Sequence, residues 1–450
     1  MNHPFRRRFL ASLLPGAALA APQTSAPLPA AFNVRQHGAK GDGSHLDTPP
    51  IQAAIDACAR AGGGTVLFPA GGYLSGTLVL KSHVTLHLAS GATLLGSKNL
   101  ADYPAHTAQV RSYTDNYTDK SLIYAENAED IAIAGRGTID GQGAAFKGPY
   151  KVRPYMIRVI ACRDVSVTDI TLKDSPMWVQ HYLACEGVAI RGITVRSRVN
   201  GNNDGIDIDA CGRVRISDCD IWSGDDAIVL KSTLDRPCKD IAIANCTLSS
   251  ACNALKLGTE SNGGFQNIVI SNCTIYDTRL AGLAIEMVDG GLLEHVSVSN
   301  LVMDAVAAPI FIRLGDRGRP FVEGGPRPPA GRLRNVAISN VQAGNCGVTG
   351  CAIAGIPGHP VEGVSLDNIR LSFVGGGKRV AGEVPENADK YPEYSMFGKQ
   401  LPGYAFYCRH VRDLTFRNIR TTTATPDERP ALVCDDVRQL ETSLWPSLGG

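Results

Sequence analysis

A short alternating pattern recurs along most of this chain and constrains its fold more than any other feature. From about Glu129 onward, two apolar residues one position apart are followed two positions later by Asn or Asp. The units begin at Val165, Val214, Ile241, Ile268, Val296, Val336, Val364 and Leu414, and one that begins at Val188 has Gly in the polar position. Successive starts from Val165 to Val296 are 23, 26, 27, 27 and 28 residues apart, and later spacings of 40, 28 and 50 indicate loop insertions.

Alternation with a period of two is typical of short strands that turn one face inward. A repeat of nearly fixed length indicates units that stack, each covering the apolar face of its neighbour. No helical pattern lies between the units, so we predict a parallel β-solenoid with rungs ~4.8 Å apart. The repeated Asn or Asp should bond local backbone at a turn and the same residue one rung away. One solenoid domain, residues 31–435, accounts for nearly the whole chain.

The N-terminal residues predict an export signal. Three arginines, Arg6–Arg8, precede Phe9, Leu10 and a short apolar stretch that ends in Ala18–Leu19–Ala20. This segment resembles a twin-arginine signal, whose route carries folded proteins, and an ordinary basic leader is the alternative. We therefore expect residues 1–20 to be a signal peptide, residues 21–30 to be a linker, and the protein to be exported to the periplasm or the extracellular space.

Residues 47–64 predict one N-terminal helix, with Asp47 or Thr48 as its cap. One apolar face at helical spacing consists of Ile51, Ala54, Ile55 and Cys58. We expect this helix and the first coils, residues 31–98, to cap the solenoid, and residues 436–450 to form a C-terminal tail.

The charge balance and the hydropathy exclude two classes of partner. Lys and Arg number 44 and Asp and Glu number 43, which excludes a strongly basic nucleic-acid binder. No apolar run after the N-terminus reaches the ~20 residues of a membrane helix. We expect a monomer that binds neither nucleic acid nor membrane.

Most of the 13 cysteines fall in register with the repeat. Two columns contain Cys162, Cys185, Cys211 and Cys238, and Cys219, Cys246 and Cys273. Small buried hydrophobic residues explain these columns better than a metal site, because they form no C-x-x-C pair and no His joins them. Cys346 and Cys351, in an inserted loop, are either a disulfide or two free thiols.

Alignment of the rungs on their inward residues gathers acidic side chains on one outward face. One outward column contains Asp204, Asp226 and Asn253, and Asp225 precedes Asp226 in the turn. Crowded carboxylates cannot all ionise freely, so we expect one proton to be held at a raised pKa. A carboxylic acid beside a carboxylate suits hydrolysis of a glycosidic bond, whereas exposed turn residues or a Ca²⁺ site are the alternatives. We expect Asp204 and Asp225 to face solvent.

Two further pairs of opposite charge fall on neighbouring rungs. Asp209 aligns with Lys231, and Glu286 lies next to Arg313. Exposed ion pairs of this kind contribute little to stability, so they are either part of the site or ordinary surface pairs.

The two acidic motifs resemble those of the polygalacturonase family, glycoside hydrolase family 28. Asn202–Asp207 corresponds to the family's Asn-Thr-Asp motif and Ser223–Ala227 to its Gly-Asp-Asp motif, with 21 residues between Asp204 and Asp225. The resemblance implies an all-β fold, a right-handed parallel β-helix with one N-terminal capping helix, and inverting hydrolysis of pectic polymers. It further implies that Asp225 is the general acid and that Asp204 and Asp226 hold and activate the water, with no cofactor and no metal.

Two motifs of the family are missing from the sequence. The family's Gly-His-Gly histidine falls on Asn253, and its Arg-Ile-Lys pair, which grips a galacturonate carboxylate, falls on Ala284 and Glu286. We expect Lys256 to replace this clamp, with Arg313 as a weaker substitute. The predicted substrate-binding residues are Asn202, Asn253, Lys256 and Arg313. The departures indicate a shifted specificity, for rhamnogalacturonan or for a chain end.

Two rival functions use the same solenoid. A pectate-lyase-like enzyme would use Asp-bound Ca²⁺ and a basic residue, and a carbohydrate-binding solenoid would have no activity. Carboxylates one rung apart would be near the ~5 Å typical of retaining enzymes, yet the resembling family inverts. His181 either lines a sugar subsite or is structural. Tyr391, Tyr394 and Phe397, in a long insertion, form either a sugar-stacking wall or a cover on the solenoid.

Overall fold

The strands of this chain follow one another around a single coiled path. A computed structural model describes residues 31–443 and 445, apart from the side chains of residues 115 and 116. The predicted signal peptide and linker, residues 1–30, lie outside the described residues.

The described residues contain one α-helix, α1, and 30 strands. The N-terminal elements are β1 Ala31–Asn33, β2 Asp42–Leu46, α1 Thr48–Arg60, β3 Gly64–Phe68, β4 Gly71–Ser75, β5 Leu78–Val79, β6 Val84–Leu88, β7 Ala92–Gly96, β8 Ser121–Glu126, β9 Glu129–Ala134 and β10 Thr138–Asp140. The central strands are β11 Tyr155–Ile160, β12 Arg163–Thr168, β13 Thr171–Lys173, β14 Gln180–Leu183, β15 Glu186–Arg191, β16 Thr194–Ser197, β17 Ile206–Asp209, β18 Gly212–Ser217, β19 Asp220–Ser223, β20 Ile228–Ser232, β21 Cys238–Ala244, β22 Thr247–Ser250 and β23 Leu255–Ser261. The C-terminal strands are β24 Phe265–Met287, β25 Leu292–Leu314, β26 Arg332–Cys346, β27 Cys351–Ala354, β28 Val361–Phe373, β29 Phe406–Thr423 and β30 Leu432–Ser443. Five short 3-10 helices lie at Val34–His37, Leu100–Asp102, Tyr113–Asn116, Gly143–Ala145 and Tyr150–Val152.

Each strand pairs in parallel with the strand one coil away, which confirms the predicted right-handed parallel β-helix. The face formed by β11, β14, β17, β20 and β23 is called the first face below. Its register aligns Ile206 with Ile228 and Leu255, and then with Leu283 on β24, as the repeat predicted. These inward side chains are almost fully buried and form part of one continuous core. The outward residues between them are consequently held in straight columns.

The polar residue of the repeat forms a hydrogen-bonded ladder at one turn, as predicted. Its members, Asp218, Asn245, Asn272, Asn300, Asn340, Asn368 and Asn418, all have φ between 49° and 58°. Each Asn amide donates to the side chain one rung earlier, over 2.7–3.4 Å. Asn and Asp tolerate this left-handed backbone better than other residues with a Cβ, which explains their recurrence.

The N-terminal helix covers the end of the core, but its predicted cap differs. The buried residues of α1 are Ile51, Ala54, Ile55 and Cys58, as the helical spacing predicted. Asp47 makes no side-chain bond to the helix, because its carboxylate accepts the backbone N–H groups of Lys40 and Gly41 at 2.8 and 2.9 Å. The Thr48 hydroxyl accepts from the backbone N–H of Gly76 instead. The helix is thus anchored by contacts with the first coils.

The cysteine columns point inward, and all thirteen cysteines are free thiols. Cys346 and Cys351 are both buried and are not bonded to each other, so the disulfide alternative is not realised. At the C-terminal end, β30 runs past residue 435, where we predicted the domain to end. No helix among residues 31–443 is long and apolar enough to cross a membrane.

Candidate functional site

The three predicted acids meet at the start of two neighbouring rungs of the first face. Asp204 lies two residues before β17, and Asp226 lies two residues before β20. The backbone N–H of Gly205 donates to the carbonyl of Asp226 at 2.9 Å, which places the two acids side by side. Asp225 occupies the turn that leads into the second rung. The coil therefore brings together residues that are 21 positions apart in the sequence.

The acids are less exposed than the sequence predicted. Asp204 and Asp226 are each 3% exposed, and Asp225 is half-buried. We predicted that Asp204 and Asp225 would face solvent, which is wrong for Asp204. Outward columns of a solenoid are open to water only where no insertion covers them, and here the inserted loops and the aromatic residues around Trp178 lie beside the acids.

Asp226 is held by three hydrogen-bond donors. Its Oδ1 accepts the backbone N–H of Asn253 at 3.0 Å and the side-chain Nδ2 of the same residue at 2.8 Å. Its Oδ2 lies 3.0 Å from the ammonium Nζ of Lys256. Donors that surround a buried carboxylate favour its charged form. Asn253 and Lys256, which we predicted to bind substrate, are thus fixed to Asp226 by the fold.

Asp225 has the environment of a proton donor. Burial and the neighbouring charge of Asp226 raise its pKa above the usual range, and Lys256 opposes this rise. Its Oδ1 accepts the backbone N–H of Asp226 at 2.9 Å, and its Oδ2 lies 3.4 Å from Nδ2 of Asn202. The orientation of Asn202 is set by Arg153, whose Nη2 donates to the amide oxygen at 3.1 Å.

Asp204 is the most strongly desolvated of the three acids. Burial, followed by the charges of Asp225 and Asp207, raises its pKa well above the usual range. Its Oδ1 has no hydrogen-bond partner within the part of the chain that the structure describes. The expected crowding of carboxylates is therefore present, but the pKa is raised for both Asp204 and Asp225, whereas we expected one proton to be held in this way.

A second layer of charge, to which the sequence assigned no role, lies on the first face beside these acids. The fully buried Asp207 has a pKa well above the usual range, chiefly through burial. Nζ of Lys231 lies 3.5 Å from Oδ1 of Asp207, 3.3 Å from Oε2 of Glu260 and 4.8 Å from the centre of the Trp178 ring. The outward position of Asp207 in the repeat was visible in the sequence, whereas the contact of Lys231 with Glu260 needed the structure.

The predicted pairing of Asp209 with Lys231 is not formed. The carboxylate of Asp209 turns instead to Thr233, accepting its backbone N–H at 2.9 Å and its hydroxyl at 2.8 Å. The two residues are aligned in register, but Nζ of Lys231 is directed at Asp207 and Glu260 instead.

The predicted pairing of Glu286 with Arg313 is also absent, although the two residues are aligned in register. Oε2 of Glu286 lies 3.6 Å from Nζ of Lys256. Arg313 is fully buried and donates to the carbonyls of Gly355 and Glu386, both at 2.7 Å. A guanidinium held in this way is not presented to the groove, so the structure separates Arg313 from the acids.

The long insertion between β28 and β29 has two different functions in the fold. Phe397 is buried against Tyr407 and lies 5.1 Å from the guanidinium of Arg313, and Tyr394 packs against the same cluster. These two aromatic residues cover the solenoid. Tyr391 is 56% exposed and reaches the site, with its hydroxyl 3.3 Å from Nζ of Lys256.

His181 belongs to the wall under the groove. It is fully buried, with ring centres 5.7 Å from Tyr155 and 5.1 Å from Trp178. Its Nε2 lies 3.5 Å from Oδ2 of Asp209. This placement corresponds to the structural alternative for His181 rather than to a sugar contact.

A family comparison decides how this cluster of acids is classified. The family model described as glycosyl hydrolases family 28 matches residues 58–388, which is more than half of the chain. The chain belongs to glycosyl hydrolases family 28. The chain is 38% identical over 216 residues to a probable polygalacturonase of Vitis vinifera, covering 44% of this chain and 43% of that protein. It is 45% identical over 127 residues to an exo-poly-alpha-D-galacturonosidase of Dickeya chrysanthemi, covering 27% and 21%.

The structural comparison supports the same fold. The chain superposes on the family 28 exopolygalacturonase of Yersinia enterocolitica with a TM-score of 0.72 at 21% identity, covering 92% of this chain and 78% of the other. Likeness at this identity shows the shared β-helix. The chain spans less than half the length of the two curated relatives described above.

The donor set at the acids does not fit a calcium ion. Ligand atoms of Asp225, Asp226 and Cys252 lie within 4.8 Å of one another. Ca²⁺ takes 6–8 oxygen ligands, and a thiol is a poor ligand for it. The ammonium of Lys256 already occupies one oxygen of Asp226. A lyase-type Ca²⁺ site would need further carboxylate ligands beside Asp226. In this member of family 28, the ammonium group of Lys256 lies there instead.

Proposed function

We propose that the protein is an inverting glycoside hydrolase that cleaves pectic polysaccharide or its oligosaccharides. The observation that carries this proposal is the contrast within one acid cluster. Asp226 is surrounded by three donors, whereas Asp225 has a raised pKa and forms no ion pair with a cation among the described residues. General acid–base hydrolysis requires a protonated carboxyl group beside an ionised one.

Each acid has a distinct task in the proposed reaction. Asp225 protonates the glycosidic oxygen as it leaves, because its raised pKa keeps a proton available. Asp226, whose oxygens lie against Lys256 and Asn253, accepts a proton from the attacking water, and Asp204 helps to hold that water. Oxygen atoms of Asp225 and Asp226 come within 4.8 Å, a spacing that the general rule associates with retention. We assign inversion because family 28 inverts despite close carboxylates.

The stereochemical assignment has a direct test. Proton NMR of the first product formed should show the anomer opposite to that of the cleaved linkage, before mutarotation. Retention of the anomeric configuration would show that Asp226 acts as a nucleophile and does not activate water.

The specificity differs from that of a standard polygalacturonase in our proposal. The three N–H donors of Lys256 face Asp226, Glu286 and the Tyr391 hydroxyl, which leaves none for a substrate carboxylate. Arg313 is buried beneath Phe397. The family's carboxylate clamp therefore has no replacement at its usual place. This favours rhamnogalacturonan, or galacturonan attacked from an end, as the substrate.

The mode of attack follows from the position of Tyr391. The Tyr391 hydroxyl lies 3.3 Å from Nζ of Lys256, and the ring is 56% exposed, so an aromatic side chain stands over the lysine next to the acids. A ring at this place favours attack at a chain end, because it would obstruct a chain that runs on past the acids. Digestion of polygalacturonan, rhamnogalacturonan and their oligosaccharides, with chromatography of the products over time, tests substrate and mode together. Exo action releases one short product from the start, and a ladder of intermediate sizes would contradict it.

We further propose that the enzyme works outside the cytoplasm as a monomer with one β-helix domain, predicted over residues 31–435, whose last strand continues to Ser443. The arginine-rich leader, residues 1–20, supports export, and the near-neutral charge supports the expectation that nucleic acid and membrane are not partners. Fractionation of expressing cells tests export, with a leader-deleted chain as the control. Size-exclusion chromatography with light scattering tests the monomer.

A further inference from the structure

A recess of about 500 Å³ opens beside the acid cluster, between the 111–117 segment and the insertion that follows β25. Its walls include Tyr113, Tyr117, Arg319 and Val322. None of these residues was singled out in the sequence, and none belongs to the acid motifs. The recess combines aromatic rings and apolar surface with the guanidinium groups of Arg111 and Arg319 and the carboxyl group of Glu323. Two cations against one acid, beside aromatic rings, suit a sugar ring that carries an anion.

Both walls of the recess are tied to residues around the acids. Tyr117 packs edge-on against Trp178, with ring centres 5.9 Å apart. Trp178 immediately precedes Val179, whose backbone N–H donates to the carbonyl of Asp204 at 2.9 Å. On the other side, Nη2 of Arg319 lies 2.6 Å from Glu260, which also contacts Lys231. The recess is therefore within a few sugar units of the acids.

Arg319 has a donor available for a ligand. Its Nε and Nη2 are occupied by Asp289 and Glu260, and its guanidinium lies 4.8 Å from the centre of the Tyr113 ring. Its Nη1 has no partner among the described residues, and its side chain is 32% exposed. Lys231 and Lys256, by contrast, are almost fully buried and directed at carboxylates. Arg319 is thus a cation of the recess that a substrate carboxylate can reach.

We propose that this recess binds a uronate residue of the substrate chain away from the cleaved bond, with Arg319 on its carboxylate and Tyr113 and Tyr117 against its ring. The inference rests on the proposed pectic substrate and deepens it. The family's carboxylate clamp is absent here. In this proposal, Arg319 in the insertion after β25 recognises the acidic sugar instead. Anchoring one acidic residue at a distance leaves the position over Lys256 free for a sugar without a carboxylate.

A matched pair of variants at Val322 tests the proposal. Val322 lines the recess and is 64% exposed, and its only hydrogen bond among the described residues is a backbone one, so a change of side chain should leave the fold intact. Val322→Asp places a negative charge in the recess, and Val322→Asn places a neutral group of the same size there. Binding of trigalacturonate is measured by titration calorimetry in the Asp225→Asn background, which prevents turnover.

The expected result is a loss of affinity of about fivefold for Val322→Asp relative to Val322→Asn, the effect of one like charge at short range in water. The loss should shrink in high salt. It should also disappear with an oligomer whose carboxyl groups have been reduced to alcohols. Equal affinities of the two variants for trigalacturonate, or no binding in the Asp225→Asn background, would overturn the proposal.

A second variant addresses Arg319 directly. Arg319→Gln should weaken trigalacturonate binding at least as much as Val322→Asp, without weakening binding of the reduced oligomer. An Arg319→Gln variant that binds both oligomers as the parent does would contradict the assignment. A different result would contradict the proposed function alone. In that case the wild-type protein would hydrolyse no pectic substrate, while Val322→Asp and Val322→Asn would still differ in their affinity for trigalacturonate.

Discussion

Nζ of Lys256 lies 3.0 Å from Oδ2 of Asp226. The acidic motifs in the sequence did not predict this contact. The lysine is 5% exposed and occupies the outward column next to the acids. Burial lowers its pKa, but Asp226, Tyr391 and Glu286 outweigh that effect and raise it well above the usual range. In the proposed mechanism Lys256 acts on the reaction through Asp226.

The catalytic acids give the first prediction. Asp225→Asn should lower kcat by ~10²–10⁴-fold, because the leaving oxygen loses its proton donor. Asp204→Asn should have a similar effect through loss of the water-holding carboxylate. Initial rates on oligosaccharides measure both changes, and thermal unfolding shows whether the fold is retained. Asp164→Asn, at an exposed carboxylate on another face, is the matched control. A double variant, Asp204→Asn with Asp225→Asn, that retained activity would contradict the assignment.

The stability of the Asp204 variant has a predicted sign. The pKa of Asp204 is raised by folding, so the folded state binds the proton more tightly than the unfolded state does. The wild-type protein consequently loses stability as pH rises above the ordinary Asp range. Asn mimics the protonated acid, so Asp204→Asn should unfold at an equal or higher temperature at pH 7, with an advantage that declines toward pH 4. A large drop in Tm at pH 7 would contradict this account.

Removal of the cation at position 256 should change the pH profile of the enzyme. Lys256 lowers the pKa of Asp225, so in Lys256→Met that pKa rises further. The alkaline limb of the kcat/KM profile should move to higher pH, because the general acid keeps its proton longer, while kcat falls about 100-fold as Asp226 loses its cation. Lys256→Arg keeps the charge and is the control. An unshifted limb in Lys256→Met, with only KM increased, would show instead that Lys256 binds substrate.

Glu286 should make stability depend on pH in a defined window. Burial, opposed by Lys256 and reinforced by Asp226, raises its pKa from 4.5 to about 7. Because the folded pKa is raised, the contribution of this group to stability is complete below pH 4.5 and declines up to about pH 7. Glu286→Gln lacks this titration, so its Tm relative to wild type should increase between pH 4.5 and pH 7. Glu441→Gln, at an exposed carboxylate, is the control, and a constant Tm difference would contradict the prediction.

Treatment with a chelator should leave the activity unchanged. The three possible ligands near the acids include a thiol, and Lys256 occupies one carboxylate oxygen. Activity before and after EDTA, and after addition of Ca²⁺, measures the effect. The products should also lack the ultraviolet absorbance of an unsaturated sugar. Loss of activity in EDTA that Ca²⁺ restores, together with such absorbance, would establish the lyase instead.

The sequence alone determined the coil and the positions of the acids along it. The period-two alternation and the repeated Asn or Asp fixed which residues point inward, because a strand with one buried face has only one workable register. The columns derived in this way placed Asp204 beside Asp226 and aligned Glu286 with Arg313, as the strand pairing shows. The columns predict which residues are neighbours along the backbone of adjacent rungs. The alignment of the acids therefore followed from the repeat.

Only the tertiary structure decided which neighbours bond. Lys256 turned to Asp226, Glu286 and Tyr391, although the last of these residues is 135 positions away in the sequence. Arg313 was buried by Phe397 from the same insertion. Insertions carry no repeat, so their path over the solenoid depends on packing between distant side chains. A buried charge then takes whichever partners that packing brings within reach, since it cannot remain unpaired away from water.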